Sequence, residues 1–403
     1  MLAVAAGHAD MAAAESGRIE VTKLLLSAGA SIELASTSGY TPLLEVAQVN
    51  SHHVAKLLVE SGATIDQQLP NGNTALRLAA SRGFIDTVRV LLDGGASINL
   101  PNSNSFTPMN AAQNGHADVV KLLVACVLLD AGASIDFANK SGETSLMFAA
   151  RQGQVEIVKL LLRRRANVNV HAQSGATALQ HASSLGHLEI SQLLWDTTIV
   201  KLLLKQGAEI DKQDNNKSTA LHFATERDCW KTARILLENG ARIDQLNGQG
   251  QTALMIAASQ GYHKMAEVLL DARADAQLEV MMSKDPDVVE EHSTFTVVSK
   301  HRIVQALDFP RIKTALVFAT QEGHAKMIRL LLDRGATIND RNTKASTTLF
   351  VATNYGHVEV GNILVDAGAD VNQRSNSGLT PLMLASQEGH AEFVNFLLMR
   401  GAG

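Results

Sequence analysis

The chain has 403 residues, a net charge of −5, only 4% aromatic residues and two cysteines. A core of that length in one globule would be unusually large, and the acidic balance gives no long-range attraction for phosphate backbones or anionic membranes. Cys126 and Cys229 lie far apart without metal-ligand spacing, which fits buried thiols in a reducing compartment.

The first residues, MLAVAAGHADMAAAESG, carry no positive n-region, and their apolar stretch from Leu2 to Ala6 is too short for a secretion signal. The longest apolar run, Leu122 to Leu129, cannot span a bilayer. A soluble intracellular protein, foremost cytoplasmic, is the expectation, with no membrane insertion.

Further along, a Gly-Ala dipeptide returns with a fixed spacing. Its glycine falls at Gly29, Gly62, Gly95, Gly132, Gly207, Gly240, Gly335, Gly368 and Gly401, and Arg165 and Arg273 stand in for it at two further positions. Most steps are 33 residues; the exceptions are 37, 42 and 62. Such a period means one supersecondary unit copied many times, each packing only on its neighbours.

The unit from Ser36 to Ile65 shows what is copied. Thr41 before Pro42 predicts a helix start, with a hydroxyl to accept an orphan N–H and a ring already at helical φ. A second helix places Val54, Leu57 and Leu58 on one stripe, and Gly62 follows as its left-handed cap. The segment up to the next threonine holds a polar tip, Pro70 to Asn73, which predicts a projecting turn or hairpin.

Two units run long. His116 to Gly132 has five surplus residues and His187 to Gly207 has nine. These would rotate a continuous helix by roughly 140° and 180° and carry the apolar stripe off the stack. The surplus, near 123–130 and 195–203, is therefore expected to loop out or break the helix, with Asp196 to Thr198 as the break and restart point. Residues 1–273 thus hold about eight repeats, the first degenerate, and 314–403 hold three. Between them, Ala274 to Lys313 lacks the repeat pattern and contains an acidic stretch from Asp285 to Glu291. Its length is close to one unit and Arg302 to Leu307 can form a second helix, so a decayed repeat is favoured over a binding or regulatory insertion.

The consensus is Gly, one residue, Thr, Pro or Ala, Leu, then Ala-Ala, Gly-His, Leu-Leu and Gly-Ala. It resembles the ankyrin repeat, and NGNTALRLAASRGFIDTVRVLLDGGASIN from Asn71 to Asn99 and SGLTPLMLASQEGHAEFVNFLLMRGA near the end follow it almost throughout. The resemblance covers nearly the whole chain, in eleven or twelve units. It implies an all-α fold with short β-hairpin or turn fingers, an elongated and curved α-solenoid, whose concave face of fingers and first helices binds other proteins or peptides.

In that family the variable positions choose the partner. Here they are the residue before the threonine and the two after Ala-Ala. The candidates are Tyr40, Asn73, Arg82, Phe106, Asn114, Arg151, Gln152, Arg227, Gln260, Glu322, Tyr355 and Glu388. Aromatic and arginine preferences at hot spots single out Tyr40, Arg82, Phe106, Arg151, Arg227 and Tyr355 as anchors.

Chemistry-bearing motifs have structural readings. His8, His116, His187, His324, His357 and His390 all follow glycine at the same turn, which argues for local hydrogen bonding and capping rather than catalysis or metal binding. His222 falls at the family's buried histidine. GQGQTA at Gly248 to Ala253 has dinucleotide-fingerprint spacing but falls at a finger tip with no preceding strand. Arg163 to Arg165 end a helix, where positive charge suits the dipole. No catalytic, cofactor or metal site is expected, nor a nucleic-acid partner. The expectation is a monomeric, non-catalytic scaffold or adaptor; the alternative is a targeting or substrate-recruitment module of a larger kinase, ubiquitin-ligase adaptor or channel.

Overall fold

Threonines set the start of the repeats. The computed structural model describes residues 19–98, 100, 111–112, 114–120, 122–123, 135–184, 193–281, 312–338, 348–375 and 378–403. In it Thr74, Thr144, Thr177, Thr252, Thr314 and Thr380 each have extended backbone and accept a bond from the amide three residues on. Such caps contribute about 1 kcal/mol each. Thr41 differs: it precedes Pro42 and makes no side-chain cap bond.

Two compact units form, Met1–Asn215 and Asn216–Gly403. The first contains α1 (Ile19–Ser27), α2 (Pro42–Val49), α3 (His52–Glu60), α4 (Ala75–Arg82), α5 (Ile85–Asp93), α6 (Ser145–Arg151), α7 (Val155–Arg163), α8 (Ala178–Ser183) and α9 (Leu193–Lys205). After the opening α1, these alternate between short inner helices and longer outer ones. Inner helix α2 packs on α4 and α6 on α8, while outer α3 packs on α5 and α7 on α9. None of the inner helices is long enough to persist alone in water, so packing holds them. Fully buried alanines, among them Ala47, Ala79, Ala80, Ala149, Ala150 and Ala182, let their backbones approach closely.

The outer helices bury a repeating triad at positions i, i+1 and i+4: Val54, Ala55 and Leu58 in α3, Ile157, Val158 and Leu161 in α7. Each ends in a left-handed residue. Gly62 has φ 92°, with Ala63 N–H donating to Leu58 O at 3.0 Å and Gly62 N–H to Val59 O at 3.1 Å, the Schellman arrangement. Arg165 and Arg273 adopt the same geometry at φ 63° and 69°.

The expected break at Asp196 to Thr198 is absent. Helix α9 runs unbroken from Leu193 to Lys205 and buries Ile199, Val200 and Leu203, the same triad positions relative to Gly207 as Val54, Ala55 and Leu58 relative to Gly62. Its excess over the nine-residue α7 is four residues, close to one turn, so the stripe keeps its phase. The rest of that surplus, and most of the one near 123–130, lies outside the described residues.

The second unit contains α10 (Ala220–Glu226), α11 (Trp230–Glu238), α12 (Ala253–Gln260), α13 (His263–Asp271), β1 (Val280–Met281), β2 (Ile312–Lys313), α14 (Ala315–Gln321), α15 (Ala325–Asp333), α16 (Thr348–Tyr355), α17 (Val358–Asp366), α18 (Pro381–Gln387) and α19 (Ala391–Met399). Strands β1 and β2 pair antiparallel, Val280 with Lys313 and Met281 with Ile312. Helix α12 packs directly on α14, and α13 on α15. A decayed repeat within the stack would separate these helices, and none intervenes. His324 bonds Ser259 O across 65 residues where His357 bonds Gln321 O across 36, so 29 surplus residues fall within one finger. The predicted Arg302 to Leu307 helix and the acidic Asp285 to Glu291 stretch lie outside the described residues.

Elsewhere the fingers are turns with isolated bridges, Ala138 to Thr144 and His171 to Thr177. Their tips are joined by backbone bonds: Gln173 N–H to Ser141 O and Asn215 N–H to Ser174 O, both 2.8 Å.

Candidate partner-binding surface

Each finger closes by one backbone bond. The amide four residues before the last finger residue donates to that residue's carbonyl: Ser36 to Tyr40 (2.9 Å), Leu69 to Asn73 (2.9 Å), Asn139 to Glu143 (3.0 Å), Asn247 to Gln251 (3.0 Å) and Ser375 to Leu379 (2.8 Å). Because the main chain does the structural work, the side chain there is free to vary. Tyr40 and Asn73 are half-buried at this position. Phe106 lies outside the described residues.

In the first unit the inner-helix ends are tied across repeats. Arg82 donates through Nη1 to the Gln48 carbonyl and through Nη2 to Gln48 Oε1 at 2.9 Å. Asn114 Nδ2 donates to Ser81 O at 2.7 Å. The guanidinium and amide are thus held in place before any partner arrives, which reduces the ordering cost of binding. Gln113 lies outside the described residues.

Arg151 is fixed differently. Its Nη1 is 2.7 Å from Glu143 Oε1, with 36% and 18% of the two side chains exposed, and its guanidinium lies 4.6 Å from the Phe148 ring centroid. His181 faces this pair; burial, then the Arg151 charge, pushes its pKa down while Glu143 opposes. The imidazole is neutral at physiological pH, and its Nε2 has no hydrogen-bond partner among the described residues. Gln152 is exposed beside it.

In the second unit Arg227, Gln260 and Glu322 are exposed at the ends of α10, α12 and α14. Tyr355 stacks on His357 with centroids 6.0 Å apart; burial raises its phenol pKa, and the Glu322 carboxylate adds to that. Glu388 is half-buried at the end of α18.

Two residues of this face escaped the sequence reading. Glu143 precedes its cap threonine as Tyr40 and Asn73 do, so the positional rule points to it as well. Met383, 49% exposed on α18, follows Pro-Leu where other repeats bury their side chain, and nothing local separates the two cases.

The turn histidines join repeats rather than cap their own helices. His324, His357 and His390 stand at N-cap positions without a side-chain cap bond. Nε2 of His116, His324, His357 and His390 instead donates at 3.0 Å to a carbonyl of the preceding repeat: Ser81, Ser259, Gln321 and Asn354. Each ring covers the preceding turn glycine, where a Cβ on Gly83 would meet His116 Nδ1 at 2.6 Å. His222 likewise spans repeats, from Thr219 to the Gln251 carbonyl at 3.2 Å. In the same helical position Gln180 reaches Lys212 O at 2.9 Å and the buried Arg77 reaches Leu100 O at 2.9 Å.

Helix pairs stacked in register, with turn fingers whose last side chain varies over a fixed backbone, define a helical-repeat protein of the solenoid class. A family model described as ankyrin repeats (3 copies) matches residues 10–102, 46–127, 108–198, 195–280, 296–375 and 316–403. The chain belongs to the ankyrin repeat family, whose members are generally non-catalytic protein–protein interaction modules. Among solved structures, the human ASB11 ankyrin repeat domain is similar, with a TM-score of 0.50 and 25% identity over 58% of this chain and 98% of that one. No curated protein matches the sequence. Among the described residues no helix is long and apolar enough to cross a membrane.

Proposed function

We propose that the protein is a non-catalytic scaffold or adaptor that binds folded proteins or extended peptides on its finger and inner-helix face. The observation that carries this reading is the uniform finger closure, which fixes the backbone and leaves Tyr40, Asn73 and their equivalents free to vary. Arg82 and Arg151, held by Gln48 and Glu143, are the anchors of the first unit, with Tyr40, Asn114 and Gln152 around them. Arg227, Tyr355, Gln260, Glu322 and Glu388 serve the second. The work is intracellular, consistent with the buried free thiol of Cys229, and the protein acts as a monomer.

A second reading, recruitment by a longer polypeptide, is supported by the similarity to a structure described as an ankyrin repeat domain of human ASB11. Affinity capture with the full chain, read by mass spectrometry, tests the surface common to both. Proteins retained by the wild type should be lost with Arg82→Ala/Arg151→Ala and kept when exposed outer-helix residues such as Lys56 are changed. An identical set from all variants would refute the assigned anchors.

A further inference from the structure

The outer helices of the first unit share a charge order. In α1, α5 and α7 an acid stands in the first turn and a base three residues later: Glu20 and Lys23, Asp86 and Arg89, Glu156 and Lys159. This order suits the helix dipole and forms ion pairs, 2.9 Å in α1 and 2.7 Å in α7. Helices α11, α13 and α15 depart from it. Their first turns hold no acid; the second position is Lys231, Lys264 and Lys326, and the fifth is Arg234, Glu267 and Arg329. Beyond them α17 returns to the usual order with Glu359.

A lysine in the first turn opposes the dipole, so three in successive helices do not serve folding. The cations also converge. Lys231 Nζ, Arg234 Cζ and Lys264 Nζ lie 5.5, 5.5 and 5.9 Å from the Trp230 ring centroid, which holds them over one aromatic plate. Lys264 pairs with Glu267 at 2.6 Å and Arg329 with Glu359 at 3.6 Å. Lys231, Arg234 and Lys326 have no carboxylate within ion-pair distance among the described residues. All three are exposed.

We propose that the outer face of α11, α13 and α15 docks an acidic, extended peptide segment of a partner protein, on the side of the repeats away from the fingers. Packed helices lie about 8–10 Å apart, and an extended chain advances about 3.3 Å per residue. A carboxylate at every third residue therefore meets one repeat after another. The size of the patch favours a short segment over a longer polyanion: Glu359 borders it and the whole chain carries −5, so a nucleic-acid strand or an anionic bilayer running past α15 meets repulsion.

The test measures fluorescence anisotropy of a labelled peptide with glutamate at every third position of a Gly/Ser background, titrated with the full chain at low and at physiological salt. The peptide binds, binding weakens with salt, and Lys231→Glu/Arg234→Glu/Lys326→Glu reduces affinity by about tenfold or more. Arg82→Ala/Arg151→Ala, on the finger side, leaves it unchanged, which separates this site from the surface proposed above. Lys231→Glu and Lys326→Glu, made singly, raise the thermal midpoint because each puts an acid in a first turn, so their lost binding is not lost folding. Equal binding of an all-Gly/Ser peptide, or no effect of the triple reversal, overturns the proposal. So does binding of a single-stranded oligonucleotide or of phosphatidylserine vesicles in place of the peptide.

Discussion

Helix α9 and the β1–β2 finger both take in residues beyond the 33-residue period, by opposite means. In α9 the helix grows by about one turn, and Ile199, Val200 and Leu203 stay buried at the positions that Val54, Ala55 and Leu58 hold in α3. In the finger the helices do not change at all: α12 meets α14, Val280 pairs with Lys313, and His324 finds its carbonyl partner 29 residues later than the rule. A stack of this kind reads the angular phase of its helices and is indifferent to finger length. Phase is quantised by the 3.6-residue turn, whereas a finger needs only that its two ends meet.

Two changes would break that contrast if it is wrong. Thr198→Pro lies inside continuous α9, where proline removes an intrahelical bond and clashes with the preceding turn. Its expected cost is about 3 kcal/mol, read from urea unfolding; a cost near zero would restore the broken helix. Replacing residues 282–311 with Asn-Gly leaves Met281 and Ile312 joined by a two-residue turn suited to a hairpin. Because shortening a loop reduces closure entropy, stability should hold or rise, by up to about 2 kcal/mol. Destabilisation would mean that the replaced residues support the stack after all.

The period, the threonine starts and the left-handed ends were legible in the sequence because each is a local requirement, satisfied within a few residues. Arg165 shows how far this reaches: its place in the Gly-Ala register alone implies positive φ, and the backbone has it. Relations between repeats were not legible. The histidine after each turn glycine looks like a cap of its own helix, yet its partner is a carbonyl one repeat earlier. Arg82 and Gln48 read as independent variable positions, although the two side chains are bonded. The finger surplus misled for a related reason: 62 residues resembles two periods, and only the packing of α12 on α14 tells an insertion from a repeat. The variable positions followed from the repeat pattern, but whether a given side chain there is buried, paired or open depends on its neighbours, as Met383 shows.

Smaller effects sharpen the comparison between helix ends. Arg165 and Arg273 carry the left-handed conformation that glycine supplies at equivalent ends, and a Cβ at those glycines, Gly62 or Gly240 for example, would meet nothing within 4 Å. The cost of a side chain there is purely conformational. Arg165→Gly and Arg273→Gly should each add about 1 kcal/mol of stability, measured as a shift in the urea midpoint at constant m. A loss instead would assign the arginine side chains a contact worth more than the strain.

The least expected effect is electrostatic and depends on pH. Four residues after each cap position a side-chain oxygen accepts the amide of the next repeat: Asp136 from Asn167 at 2.9 Å, Asp244 from Asp275 at 3.1 Å, Asn169 from Glu209 at 2.9 Å and Asn372 from Gly403 at 3.0 Å. Burial raises the pKa of Asp136 and Asp244, and the amide bond only partly opposes this. A carboxyl whose folded pKa lies above its unfolded value of about 3.9 binds its proton more tightly when folded. Its contribution is therefore greatest below that value and is lost as pH rises through the folded pKa. Asparagine keeps the acceptor without the charge, as positions 169 and 372 already do. Asp136→Asn and Asp244→Asn should raise the thermal midpoint at pH 7 and leave it unchanged at a pH where both carboxyls are protonated. A gain that persists in acid would trace the effect to something other than ionisation.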